Sequence, residues 1–156
     1  MTLHATVEMG TVGENVDDLR TFLHELQGCP RIQHTQQLRC PRHDAESGSW
    51  FYVEADPLAG VARRRCMACG DVTNLLDSAE RWTHPQMHAC RRCSASLMEL
   101  AVGLHVDIDE EHDADILGRR VRWLALAARC VECGLIEGLT DVTVPALTIG
   151  EVLRAL

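Results

Sequence analysis

A chain of 156 residues with 46% hydrophobic residues can form one globular domain or two very small ones, and aromatic residues at 4% exclude a core built mainly on rings. No run of 18 apolar residues occurs, which excludes a membrane-spanning helix; the first ten residues lack the basic and apolar regions of a secretory leader, so a cytoplasmic location is expected. The formal net charge of −8 argues against a protein that coats nucleic acid through bulk charge, although its basic residues, all arginines, cluster at Arg63–Arg65, Arg91–Arg92 and Arg119–Arg120 with Arg122.

Glu14–Gln27 is predicted as a helix. Asn15 can cap it, Asp17 and Asp18 favour its first turn, and Val16, Leu19, Phe22, Leu23 and Leu26 form an apolar stripe. Gly28, Cys29 and Pro30 should stop it. Trp50–Val53 is predicted as a strand, Asp56–Gly60 as a turn and Val61–Arg65 as the return strand. Leu97–Val106 should form a second strand that pairs with Val121–Arg129. Between them Asp107–Asp115 holds six acids in nine residues, but an EF-hand loop counted from Asp107 would place His112 and Gly118 where glycine and glutamate are required, so a solvated loop is expected. Thr148 and Glu151 form a capping box for a short last helix through Leu156.

An internal repeat organises these elements. Arg65-Cys-Met-Ala-Cys-Gly70 aligns with Arg129-Cys-Val-Glu-Cys-Gly134, each reaching a Leu-x-Asp, at Leu75–Asp77 and Leu139–Asp141, and each preceded by an apolar hairpin. Upstream of each hairpin lies another ligand pair, Cys40 with His43 and Cys90 with Cys93. The unit is therefore ligand pair, strand, turn, strand, Cys-x-x-Cys-Gly, strand, and two copies account for seven of the eight cysteines.

Two ligands separated by two residues can grip one ion from a tight turn whose amides stabilise the thiolates, and Gly70 and Gly134 suit the left-handed backbone after the second cysteine. Two such turns facing each other close a tetrahedral site of the kind structural zinc prefers. The repeat groups Cys40, His43, Cys66 and Cys69 as one site and Cys90, Cys93, Cys130 and Cys133 as the other. Spacing alone leaves open a rival grouping of Cys66, Cys69, Cys90 and Cys93. In a reducing compartment, redox dithiols are the weaker explanation of so many pairs. Cys29 is left over and reads as a small buried hydrophobe; His84 and His88 read as part of a linker rather than as ligands; His105 reads as a satisfied core histidine; and Trp50, Phe51 and Tyr52 read as alternation along a half-buried strand.

With these paired ligands the chain resembles the zinc-ribbon superfamily, with tandem rubredoxin-like knuckles over about 100 residues. It departs from that pattern at His43, which replaces a cysteine, and in the long second hairpin. The fold expected is small α+β: an N-terminal helical segment at 1–37, a first zinc-ribbon-like unit at 38–81, and a second at 82–156 carrying the acidic insertion and a short C-terminal helix. Closed four-ligand shells leave no position for a reactive water, and no phosphate-binding glycine loop, nucleophile elbow or His-Glu-x-x-His helix occurs, so a non-catalytic protein without a small-molecule substrate is expected. The resemblance implies two structural zinc ions and a binding or adaptor role toward a protein or nucleoprotein partner, with Arg63, Arg64, Arg65, Arg91 and Arg92 beside the knuckles as candidate contacts. Two alternatives stay open: rubredoxin-like electron transfer through iron at the all-cysteine site, and a zinc-thiol redox switch.

Overall fold

The computed structural model of the chain describes residues 11–26, 30–43, 49–82, 86–106 and 116–156. The expected helix stop at 28–30, Cys29, His84 and the acidic stretch 107–115 lie wholly or largely outside the described residues. Along Met98–Val106, the buried residues Met98, Leu100, Val102, Leu104 and Val106 alternate with Glu99, Ala101, Gly103 and His105, the period that places one row of side chains on each face of a strand. In chain order the described elements are β1 (Thr11–Val12), α1 (Val16–His24), β2 (His34–Gln37), β3 (Phe51–Asp56), β4 (Val61–Cys66), β5 (Val72–Asn74), α2 (Ser78–Arg81), β6 (Gln86–Met87), β7 (Met98–Val106), a 3-10 turn at Ile116–Gly118, β8 (Arg120–Cys130), β9 (Leu135–Thr148) and α3 (Ile149–Arg154).

These strands make one antiparallel sheet in the order β1-β9-β8-β7-β3-β4-β5, with β2 paired to β7 and β6 paired to β3. This overturns the expectation of a small α+β pair of zinc-ribbon units. The hairpins share a sheet and a core: Phe51, Val53 and Ala62 of the first pack in the same cluster as Leu100, Val102, Leu124 and Leu126 of the second. The physical reason lies in β7 and β8, whose two faces are both apolar and both need cover. Leu19 and Leu23 of α1, with Ile32, cover Ala101, Trp123, Ala125 and Ala127 on one face, and the shared core covers the other.

The sequence repeat appears as a repeat of strand registers. In the first unit Phe51 lies opposite Cys66 and Arg65 opposite Val72; in the second Met98 lies opposite Cys130 and Arg129 opposite Ile136. The amides of Met67 and Val131 donate to the carbonyls of Trp50 and Leu97, each at 3.1 Å. The seam between the units comprises the antiparallel pair Phe51–Met98 and the short pairing of β3 with β6, Glu54 opposite Met87 and Ala55 opposite Gln86.

The local signals at the ends of the chain are met. Asn15 Oδ1 accepts from the amides of Asp17 at 2.9 Å and Asp18 at 3.1 Å, although α1 closes at His24, short of the expected Gln27. Thr148 Oγ1 accepts from the Glu151 amide at 3.2 Å while Glu151 Oε2 accepts from the Thr148 amide at 3.1 Å, which completes the capping box of α3. No helix among the described residues is long and apolar enough to cross a membrane.

Candidate metal centres

Each Cys-x-x-Cys-Gly segment ends a long strand and turns back on itself at once. The Gly70 amide donates to the Cys66 carbonyl at 2.8 Å and the Gly134 amide to the Cys130 carbonyl at 2.9 Å; the two glycines have φ of 76° and 80°, the left-handed backbone that disfavours a side chain. The Cys90 turn has the same form without glycine. Its Ser94 amide donates to the Cys90 carbonyl at 2.8 Å, with Ser94 itself at φ 65°. The fourth turn is looser, with the His43 amide 3.3 Å from the Cys40 carbonyl.

These turns bring the donors together as the repeat predicts. Cys40, His43, Cys66 and Cys69 form one group and Cys90, Cys93, Cys130 and Cys133 the other, and within each group the donor atoms all lie within 4.8 Å of one another. The rival grouping of Cys66 and Cys69 with Cys90 and Cys93 is not formed. Cys40 and Cys69 sulfurs are 3.7 Å apart, and the Cys90–Cys133 and Cys93–Cys130 sulfurs are each 3.5 Å apart. Thiolates about 2.3 Å from a tetrahedral ion would be separated by roughly 3.8 Å, so both groups are positioned for metal binding.

The donors carry two further marks of a metal site. His43 Nε2 is buried without a hydrogen-bond partner among the described residues, a costly state unless a metal takes the lone pair. The thiols also compete for charge. Burial raises the Cys66 thiol, but the amides of Cys69 and Ala68 and the neighbouring sulfurs outweigh it, and its pKa falls below the ordinary value. Cys90 is likewise lowered against burial, chiefly by the amides of Cys93 and Arg92, the latter 3.4 Å from its sulfur. Burial pushes Cys40 and Cys133 up. The Ala95 amide favours the Cys93 thiolate, but desolvation and the surrounding sulfurs override it and push the thiol up to about 12. Several acids in one small volume cannot all ionise; a divalent cation removes that conflict.

The flanking arginines have different surroundings. Arg63 grips Glu54 with two hydrogen bonds, at 3.1 and 2.9 Å, and lies over the Trp82 ring at 4.7 Å. Arg64 is buried at 6% exposure; its guanidinium donates to the carbonyls of Leu156 and Arg39 and stacks 4.6 Å over Phe51. Arg65 and Arg92 are exposed. Arg91 is bonded to Glu137, a buried carboxylate that also meets His88 Nε2 at 3.1 Å. Burial lowers the His88 pKa, Glu137 raises it and Arg91 lowers it again, leaving it below 6.5. His88 is thus engaged by Glu137 and stands outside both donor groups. His105 Nδ1 lies 2.6 Å from the Arg31 carbonyl. Trp50 is exposed and Phe51 buried, with Tyr52 between these extremes. Sequence reasoning missed Glu137; its one signal was an acid within the apolar run after Gly134.

No family model, curated protein or solved structure matches the chain. Fold and sites together define an antiparallel β-sheet protein with two donor groups positioned for metal, one of three cysteines and a histidine and one of four cysteines.

Proposed function

We propose that this chain is a non-catalytic zinc protein: one structural ion at Cys40, His43, Cys66 and Cys69, a second at Cys90, Cys93, Cys130 and Cys133, and a binding or adaptor role toward a protein or nucleoprotein partner. The observation that carries this reading is the closure of two four-donor groups from paired turns. Zinc supplies a cross-link between chain segments distant in sequence, and a shell of four protein ligands leaves no open coordination position for substrate or water. In each group two ligands come from a connecting turn and two from the end of a sheet hairpin, so the site ties the loops to the sheet. With chemistry at the metal disfavoured, action by binding is the reading left, and the exposed knuckle residues Met67, Cys69 and Cys93 offer surface for it.

The test is metal content per chain, with a visible spectrum, on protein purified without added metal. About two zinc ions and no colour are expected. Iron with visible absorbance would replace this reading with electron transfer. A folded protein without metal would refute it.

A further inference from the structure

The two Arg-Cys-x-x-Cys-Gly knuckles differ in what lies against them. On the second, β1 pairs with the outer edge of β9, Thr11 opposite Ile136 and Val12 opposite Leu135. The chain then crosses the knuckle: the Gly13 amide donates to the Gly134 carbonyl at 2.9 Å. Arg129 holds it there, with Nε donating to the Gly13 carbonyl and Nη2 to the Glu14 carbonyl, both at 2.8 Å. Contact is close. A Cβ on Gly134 would stand 2.5 Å from the Gly13 carbonyl oxygen, and one on Gly13 would stand 2.6 Å from Ile136 Cδ1.

The first knuckle has the same parts without the strand. Arg65 occupies the place of Arg129, Gly70 that of Gly134, and Val72 that of Ile136, in the same register. Among the described residues no strand pairs with the outer edge of β5, and the Arg65 guanidinium makes no hydrogen bond or ion pair. Nothing lies within 4 Å of a Cβ placed on Gly70, and Val72 is 47% exposed where Ile136 is fully buried. Tyr52, opposite Arg65, shares this outer face, whose counterpart in the second unit is covered by α1.

We propose that the edge of β5, with Gly70 and Arg65, is a docking position for an extended segment of a partner protein, which adds an antiparallel strand and crosses the first knuckle as β1 crosses the second. This deepens the adaptor reading and rests on it for the existence of a partner. The segment the site fits has two strand-forming residues opposite Val72 and Asp71, then a small residue over Gly70 whose carbonyl Arg65 captures. A peptide is favoured over nucleic acid because a free strand edge offers alternating backbone donors and acceptors. The charges agree: Arg63 is already held by Glu54 at 2.9 Å and Arg42 lies 3.5 Å from Asp71, so a phosphate chain would meet little unpaired positive charge here.

The test uses the full zinc-loaded chain and a display library of random twelve-residue peptides. Selected peptides should share a small residue after two strand-forming ones and shift the amide resonances of Gly70 and Asp71–Asn74. Arg65→Ala should weaken them about tenfold or more, the effect of losing hydrogen bonds from a charged donor, with Arg65→Lys intermediate. Metal content and thermal transition should not change in either variant. The proposal is overturned by no enriched peptide, by binding that shifts other amides, or by affinity indifferent to Arg65→Ala. Binding of a dT12 oligonucleotide at Tyr52 and Arg65 in place of peptides would overturn it in favour of nucleic acid, and an Arg65-dependent dimer in sedimentation would give the edge to a second copy. Metal counted in the same samples separates the two readings: peptides bound elsewhere on a two-zinc protein defeat this site and leave the adaptor reading standing.

Discussion

Phe51 and Met98 face each other across the seam between β3 and β7, and each also lies opposite a candidate ligand cysteine of its own unit, Cys66 and Cys130 respectively. Both side chains are fully buried or nearly so. One strand's width therefore separates the seam from each metal group. A disturbance at this pair reaches both, because tightly packed interiors transmit displacement rather than absorb it.

Phe51→Ala tests that coupling. Removing a buried ring of this size costs about 3–5 kcal/mol, which at roughly 2–4 °C per kcal/mol lowers the melting temperature by about 6–20 °C. Calorimetry should show a single transition before and after the substitution, shifted as a whole. Two separated transitions would mean that the halves of the sheet unfold independently.

Arg64 makes a second prediction. Its guanidinium donates to two carbonyls far apart in sequence, at Arg39 and Leu156, while lying flat on Phe51. A planar fork can serve both; an ammonium cannot match that geometry or the stacking. Arg64→Lys should therefore cost about 1–3 kcal/mol by leaving a partly buried oxygen without its donor, read as a lower urea midpoint. An unchanged midpoint would show that these contacts contribute nothing.

The repeat, both donor groups and the hairpin strands were legible because each is local: paired ligands two residues apart, alternation within six to nine residues, a capping box within four. The single sheet was not. Its seam is short, Phe51–Met98 between β3 and β7 and Glu54–Met87 with Ala55–Gln86 between β3 and β6, and none of these residues carries a mark that distinguishes a seam from an ordinary position. β2 was equally hidden, since His34-Thr-Gln-Gln37 has no apolar alternation and becomes a strand only because β7 offers it an edge. β9 runs through Gly138 and Pro145, residues that would have argued against a fourteen-residue strand; its ladder with β8 accommodates them by shifting register beside Gly138 and again between Thr143 and Leu147, where Pro145 has no partner to donate to.

Buried and exposed donors should respond unequally to substitution. Cys130 ends a central strand and is buried, whereas Cys69 lies at the exposed tip of the first knuckle. With structural zinc supplying on the order of 10 kcal/mol to such a site, Cys130→Ser should reduce bound metal to about one ion per chain and lower the melting temperature by at least ~10 °C. Cys69→Ser should also lose one ion, but water can reach the vacated position, and the fall in melting temperature should be smaller. Metal analysis and calorimetry on the same samples decide this, and retention of two ions by Cys130→Ser would remove that residue from the ligand set.

A last prediction concerns acid. His34 on β2 has a buried Nε2 without a partner among the described residues, and its pKa is lowered from 6.5, first by burial and then by its electrostatic interaction with Arg20 and His24 on α1. The folded chain therefore prefers the neutral ring. Above pH 6.5 both folded and unfolded chains hold it neutral and the preference costs nothing. As pH falls below that value the unfolded chain takes up a proton that the folded chain resists, so stability drops until the lower folded pKa is passed. Acid also competes with metal for the cysteines, so the parent must be compared with His34→Gln at equal metal loading. Melting temperature should fall more steeply for the parent than for the variant between about pH 7 and pH 5.5, the range in which an unperturbed histidine gains its charge. Parallel curves would place the acid sensitivity elsewhere, with the donor groups the first place to look.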